Sequence, residues 1–188
     1  QTAGITSTGN VTLTGSGTVT TTAAVSTTGT ASTFTATGTT MSFAAVTGYA
    51  GVSVTGSSTV TFSGTITTTL ASAPVSVLGT TVTVAAVTST GNMLLKASAD
   101  VIAGGALTAS DSGSWIKLWS DSDNSGSGGG AVWAQSTVTT NAGDIVISGG
   151  TDPLTGYAKA SGASTDYLGC NLYNTISSTG GNIIIRGE

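Results

Sequence analysis

One stretch of the sequence, residues 121–126, has the residue types of a metal site. Oxygen-bearing side chains at alternate positions, followed by glycine, form the first half of a calcium loop of the D-x-[DN]-x-[DNS]-G type. The matching residues are Asp121, Asp123, Ser125 and Gly126. The glutamate that normally closes such a loop at its twelfth position is replaced by Val132. The stretch is therefore interpreted either as a calcium site or as a solvated Gly/Ser loop.

Two longer segments around this stretch are candidates for binding a partner. The first is a loop over residues 119–133, with Trp115, Trp119 and Trp133 close to it. These tryptophans are expected to cap the base of the loop or to form a platform for sugar rings, since an indole presents a large apolar face. The second segment, residues 151–174, contains Pro153, three tyrosines and mixed charge, and predicts a loop that projects from one corner. Exposed loops on a rigid scaffold are frequent binding sites.

The distribution of charge limits the partners of the chain. Only 6% of the 188 residues are charged, and the first charged residue is Lys96. Hydroxyl groups must therefore form the outer surface of the first half, and a neutral surface favours lateral or end-to-end association between copies. The formal net charge of −4 and the lack of a basic patch argue against nucleic acid as a partner. No run of about 18 apolar residues predicts a membrane-spanning segment.

The single cysteine, Cys170, rules out a disulfide framework within the chain. It is interpreted as a small buried hydrophobe or, alternatively, as a reactive thiol or an intermolecular bridge. There is no histidine, so no side chain is expected to titrate near neutral pH. A low lysine content and abundant threonine, serine and glycine favour an extracellular setting.

The elements that must position these residues come from a repeat of 41 residues. Val52 follows Val11, and Val60 follows Val19, at this spacing. The repeats cover residues 9–50, 51–91 and 92–142, and the third contains the insertion. Each repeat divides into two similar halves of about 20 residues with three short alternating apolar segments, and such alternation predicts strands. The sequence therefore predicts an all-β fold, a parallel β-helix (β-solenoid) with three strands per coil.

The coil starts can be read from the first apolar residue of each coil. They are Val11, Phe34, Val52, Val75, Met93, Ile116, Ile145 and Ile183. With room for one more coil between the last two, the chain is expected to form eight or nine coils, a rod roughly 40 Å long at the usual strand spacing. Residues 1–188 are interpreted as one solenoid domain, with degenerate coils over 143–188. Neither end resembles a capping helix, which suggests a longer array or ends that stack on neighbouring molecules.

Two features of the coils invite an interpretation. Thr-Gly-Asn motifs recur before the strands at 7–13, 89–95, 141–147 and 178–185 and predict corners, where Asn could stack on Asn as a ladder. Outward threonine pairs, such as Thr18/Thr20 and Thr59/Thr61, predict an exposed strand face or an ice-binding array. Asp100/Ile102 follow at the same spacing, so the array is expected to break after two copies.

The segments GGNIII, AGDIVI and WSDSDNSGSGG, set in Thr/Gly-rich coils, resemble the repeat regions of filamentous-haemagglutinin-like bacterial surface proteins. The resemblance lies in the type of repeat, and it extends over most of the chain. It implies a right-handed parallel β-helix that is secreted to the bacterial cell surface and used in adhesion. Because the family has no catalytic residues, the resemblance implies none in this chain.

Three classes of function follow from these observations. The first is a structural or adhesive extracellular solenoid, which would be a fibre-forming subunit or a segment of a long surface filament. Its expected partners are other copies of the chain and host or surface glycans. The alternative is a carbohydrate- or ice-binding module of an adhesin. An enzyme is not expected, because a general acid/base pair needs carboxyl groups close together. The aspartates are instead spread over different coils, at Asp100, Asp111, Asp121, Asp123 and Asp144.

Overall fold

The computed structural model describes residues 4–125, 130–159 and 168–188. Every regular element in these ranges is a β-strand, and all pairings between the 21 strands are parallel. The strands stack into a solenoid with three faces, which confirms the predicted all-β, three-strand coil. The strands are short because glycine, serine and asparagine interrupt each alternating apolar segment after a few residues.

The strands of each face form one ladder. The first face contains β2 (Val11–Thr14), β5 (Phe34–Gly38), β8 (Val52–Gly56), β10 (Val75–Gly79), β12 (Met93–Ala97), β15 (Ile116–Ser120), β18 (Ile145–Gly149) and β21 (Ile183–Ile185). The second contains β3 (Thr18–Thr21), β6 (Thr40–Phe43), the starts of β9 (Val60–Thr68) and β11 (Val82–Ser89), β13 (Val101–Ala103), β16 (Val132–Ala134) and β19 (Cys170–Leu172). The third contains β1 (Ile5–Ser7), β4 (Val25–Thr27), β7 (Val46–Gly48), the ends of β9 and β11, β14 (Leu107–Ala109), β17 (Val138–Thr140) and β20 (Ile176–Ser178).

The first face has eight strands among the described residues, and each predicted coil start is the first residue of one of them. The ninth coil, for which the sequence left room, is absent from this face. Ile145 pairs directly with Ile183, so β18 and β21 are neighbours. The described residues between them include β19 and β20, which belong to the other two faces.

The 41-residue repeat arises from two kinds of coil that alternate. Phe34 follows Val11 by 23 positions, and Val52 follows Phe34 by 18. Much of the difference lies in the corner between the third and first faces, which is longer in every second coil. A turn hydrogen bond closes each long corner, for example from Ala73 N to Leu70 O at 3.0 Å. The repeat unit is therefore one long coil plus one short coil.

Apolar side chains at alternate positions fill the narrow interior. Val, Ile, Leu, Met and Phe from all three faces form one continuous core along the rod. Three phenylalanines from two neighbouring coils pack ring to ring, with centroids 5.5 Å apart for Phe34–Phe43 and 5.0 Å apart for Phe43–Phe62. Aromatic pairs at these distances add to the burial of apolar area. Stacking of like residues thus holds successive coils together.

Hydroxyl groups at the end of the third face are buried, although simple alternation does not predict polar residues inside. Thr68 Oγ1 donates to Ala73 O at 3.0 Å, and Thr140 Oγ1 donates to Gly143 O at 2.6 Å. Ser89 Oγ also donates to Ala73 O. Each of these buried hydroxyl groups is therefore hydrogen-bonded to a backbone carbonyl group of the corner.

The Thr-Gly-Asn motifs lie at corners before first-face strands, as predicted, but they do not form an Asn-on-Asn ladder. The side chain of Asn92 instead accepts a hydrogen bond from the backbone N–H of Trp115 in the next coil, at 3.1 Å. Asp144 accepts from Asn182 N in the same way, at 2.7 Å. The motif glycine is required by close packing, since a Cβ on Gly91 would lie 2.3 Å from a backbone oxygen of the coil below.

The inside and outside register of the second face can be tested by placing one charge on each side. Val60 is fully buried, whereas its neighbour Thr59 is partly exposed. Val60→Asp should lower the free energy of unfolding by roughly 3 kcal/mol or more, because the carboxylate would be buried without a partner. Thr59→Asp should change it by less than about 1 kcal/mol. Urea unfolding measures both values, and equal losses would contradict the register.

Candidate functional site

Both insertions leave the solenoid at the same corner of consecutive coils. In the first five coils, six to eight positions separate the first residue of the first-face strand from that of the second-face strand, as from Val52 to Val60. The separation grows to 16 residues from Ile116 to Val132 and to 25 residues from Ile145 to Cys170. Because these coils are stacked, the two insertions lie side by side. We call their described residues, 120–125, 130–131, 150–159 and 168–169, the loop corner.

Hydrogen bonds anchor the loop corner to the first-face strands. Trp119 Nε1 donates to Gly150 O at 2.6 Å, and Ser148 Oγ donates to Pro153 O at 2.6 Å. An antiparallel bridge joins the insertions to each other, with Gly130 N and Lys159 N each donating to the other residue's carbonyl oxygen at 3.1 and 3.0 Å. The described parts of the two insertions therefore form one surface. The predicted loop over 151–174 extends too far, because Cys170–Leu172 form strand β19 of the second face.

A buried carboxyl group lies at the centre of the loop corner. The side chain of Asp121 is 0% exposed, and neither of its oxygens has a hydrogen-bond partner among the described residues. Its Oδ2 lies 3.7 Å from Nζ of Lys159, which also donates to Oδ1 of Asn124 at 3.1 Å. Burial raises the pKa of the Asp121 carboxyl, and the Lys159 ammonium lowers that pKa by a smaller amount.

The predicted calcium ligands are not brought together around one position. Asp121 is buried and faces Lys159, whereas Asp123 is exposed and accepts a hydrogen bond from Ser125 N at 3.2 Å. Gly126 lies outside the described residues. Within the described ranges, no group of three or more Asp, Glu, His or Cys residues is placed to hold a metal ion. The calcium interpretation stays a prediction for this loop.

The three tryptophans do not form one cluster. Trp119 faces outward from the first face, where Nζ of Lys96 lies 3.9 Å from its ring centroid. Trp133 faces outward from the second face, paired with Ile102 and Asn171 in neighbouring coils. The expected three-ring platform is therefore wrong, because Trp133 belongs to a different ladder.

Trp115 lines a groove on the outer surface of the first face. The groove has a volume of about 220 Å³, and Leu154 of the loop corner forms part of its wall. Its polar groups are Lys117, whose Nζ lies 5.2 Å from the Trp115 ring centroid, and Asp144. An apolar ring beside one cationic and one anionic group is suited to a ligand that carries both hydroxyl groups and apolar edges.

The outward hydroxyl array is longer than the repeat alone suggests. The short coils contribute the pairs Thr40/Ser42 and Thr81/Thr83 between the pairs already recognised. Two hydroxyl columns therefore run across four consecutive coils of the second face. The array ends in the fifth coil, where Thr83 pairs with Ile102. The expected break after two copies of the repeat is confirmed, because two copies are four coils, and only the pairs in the short coils were not recognised from the sequence.

The dispersed aspartates bind backbone amides of neighbouring coils. Asp100 Oδ1 accepts from Ala131 N at 2.9 Å, and Asp111 Oδ2 accepts from Ser72 N at 2.7 Å. Asp144 holds Asn182 in the same manner. Each of these side chains joins one coil to another, which gives it a structural role that sequence spacing alone did not indicate.

The comparisons with known proteins give no family for this chain. No protein-family model, no curated protein and no solved structure matches it. In the part of the chain that the structure describes, no helix has the length and apolar character needed to cross a membrane. The features of the molecule that bear on its function are therefore the rod, the groove, the hydroxyl columns and the loop corner.

The thiol of Cys170 should react slowly in the folded chain. Cys170 is half-buried at the start of β19, and burial raises its pKa to about 11 from an ordinary value of 9.0. Since only the thiolate attacks, alkylation near pH 8 should be roughly 100-fold slower than in the urea-unfolded chain. The difference should shrink as the pH rises towards about 11. Equal rates for folded and unfolded chains near pH 8 would contradict this burial.

Proposed function

We propose that the chain is a structural and adhesive rod, either a fibre-forming subunit or a segment of a long extracellular surface filament. The observation that carries this proposal is the division of the rod into two chemically different parts. Residues 4–95 form stacked coils without a single charged side chain. The charged side chains, the groove and the loop corner all belong to the later coils. This arrangement suits a neutral shaft that carries a binding surface.

Self-association is supported by the exposed core of the last described coil. Ile183 and Ile185 occupy inward positions in β21, yet they are 44% and 45% exposed. Their partners in the preceding coil, Ile145 and Ile147, are fully buried. A further coil, from another copy or from additional residues of the same chain, would cover this surface and pair with the free edge of β21. The uncharged shaft adds no repulsion between copies.

Adhesion is assigned to the groove at Trp115 and to the neighbouring loop corner. The indole of Trp115 offers an apolar face to a sugar ring, while Lys117 and Asp144 offer a donor and an acceptor for hydroxyl groups. Host or surface glycans are therefore the proposed partners. The extracellular, bacterial surface setting rests on the hydroxyl-rich composition and on the resemblance of the repeat motifs to surface adhesins.

Electron microscopy of the purified chain tests the fibre-forming role. We expect filaments with a subunit rise of roughly 40 Å, corresponding to eight strand spacings. Ile185→Lys should abolish them, because it places a charge in the open core. Ile184→Lys is the matched control, since its outward position on the same strand should leave the filaments intact. Dispersed single rods at every concentration would contradict a fibre-forming subunit.

A second candidate function is ice binding by the hydroxyl columns. Parallel strands are about 4.8 Å apart, and alternate residues of one strand are about 6.7 Å apart. The columns therefore present a regular two-dimensional grid of hydroxyl groups that could order water in a lattice. Seven of the eight positions are threonine and the eighth is Ser42, so the grid has little chemical variation.

Thermal hysteresis measures this second function directly. The chain should depress the freezing point below the melting point and shape growing ice crystals. Thr61→Tyr, in the middle of the second-face columns, should abolish the effect by breaking the grid. Thr108→Tyr, an outward residue of the third face, should preserve it. Unshaped ice growth with the unmodified chain would exclude ice binding.

A further inference from the structure

Three groups that together can form a covalent bond meet at the loop corner. Nζ of Lys159 is hydrogen-bonded to Oδ1 of the Asn124 side chain at 3.1 Å. The amide carbon is one C=O bond away from that oxygen, so the amine lies no more than about 4.3 Å from it. The carboxyl group of Asp121 lies 3.7 Å from the same amine and has no hydrogen-bond partner among the described residues.

We propose that Lys159 and Asn124 form an intramolecular isopeptide bond, with Asp121 as the proton carrier. The bond would join the insertion of the sixth coil covalently to that of the seventh. It does not depend on the proposed filament or on any ligand, because all three groups belong to one chain. Its chemical class is amide formation between a lysine amine and an asparagine side-chain amide.

The reaction balances without any further reactant. Asp121 takes a proton from the Lys159 ammonium, which leaves a neutral amine and a carboxylic acid. The amine attacks the side-chain carbon of Asn124, a C–N bond forms, and the carboxylic acid protonates the carbonyl oxygen. Loss of the amine proton and protonation of the original amide nitrogen then break the old C–N bond. Ammonia leaves, the carbonyl oxygen returns its proton to the Asp121 carboxylate, and the new amide remains.

The surroundings of Asp121 favour the proton transfer that starts this reaction. The carboxyl is fully shielded from solvent, and desolvation disfavours a charged pair relative to a neutral amine and a neutral acid. Lys159 is 34% exposed, which gives the departing ammonia a route to water. The Asp121 carboxyl, which carries the proton, is therefore shielded from solvent, while the Lys159 amine, which is the nucleophile, is partly exposed to solvent.

The backbone holds the reacting residues in place before reaction. The antiparallel bridge to Gly130 fixes the main chain of Lys159. Asp121 and Asn124 both adopt left-handed backbone conformations, with φ of 44° and 51°. Residues other than glycine rarely adopt this conformation, and such strain is common where geometry serves a function. Two reacting groups that are held in a suitable orientation within one molecule can reach effective molarities on the order of 10⁵ M.

Asn124 is a better acceptor than Asp121 for the lysine amine. The amine contacts the Asn124 oxygen at hydrogen-bonding distance, whereas the nearer Asp121 oxygen is 3.7 Å away. An amide carbon is also more electrophilic than the carbon of a carboxylate. The buried carboxyl group is thus placed to move protons, and the amide is placed to be attacked.

Intact-mass spectrometry of the folded, purified chain tests the proposal. Formation of the bond should lower the mass by about 17 Da, the mass of ammonia. Digestion should yield a branched peptide that joins the segments containing Asn124 and Lys159. Asp121→Asn should prevent the loss of mass because it removes the proton carrier while preserving the size of the side chain. Lys117→Arg, which changes a lysine away from the loop corner, should leave the loss unchanged.

The decisive comparison is with Lys159→Arg, which keeps the positive charge but lacks the nucleophilic amine. This variant should show the full mass and no branched peptide. Glutamine at an amino terminus also loses ammonia by cyclisation, so a loss that persists in Lys159→Arg would overturn the proposal. An unchanged mass in the folded chain would overturn it as well. A loss of about 18 Da would also do so, because it would place the bond between Lys159 and Asp121.

Discussion

The fold depends on the stacking of parallel strands in register from one coil to the next. A single coil buries only a few aliphatic side chains, and it leaves the backbone groups of its strands without partners. Each neighbour above and below supplies both the missing hydrogen bonds and the apolar contacts. The core is therefore continuous along the rod, and like residues recur at like positions, as with Phe43 and Phe62.

This constraint determines where the chain can carry other chemistry. Most interior positions are apolar, and the buried hydroxyl groups at the end of the third face are hydrogen-bonded to carbonyl groups of the adjoining corner. Extra residues are tolerated where they leave the ladders undisturbed, as at the loop corner, because lengthening a surface loop adds little entropic cost. Two insertions at the same corner of adjacent coils then meet, and Gly130, Asp121 and Lys159 come into contact although they are distant in sequence.

The spacing of apolar residues was sufficient to predict the three-strand coil and the start of every first-face strand. It did not predict that Thr68 and Thr140 are buried. Their hydroxyl groups donate hydrogen bonds to corner carbonyl groups, and the positions of those carbonyl groups depend on the geometry of the turn. It also did not predict the contact between Asp121 and Lys159, which depends on how two insertions fold against each other. The hydroxyl columns were underestimated because coils of unequal length alternate within one repeat.

Distances between spin labels on the first face test the stacking most directly. In a Cys170→Ala background, one label replaces Thr12 and the second replaces Ser76, Leu94 or Lys117, which lie three, four and five coils away in one outward column. Each added coil should lengthen the measured distance by about 4.8 Å. Distances that do not increase in equal steps would contradict the solenoid.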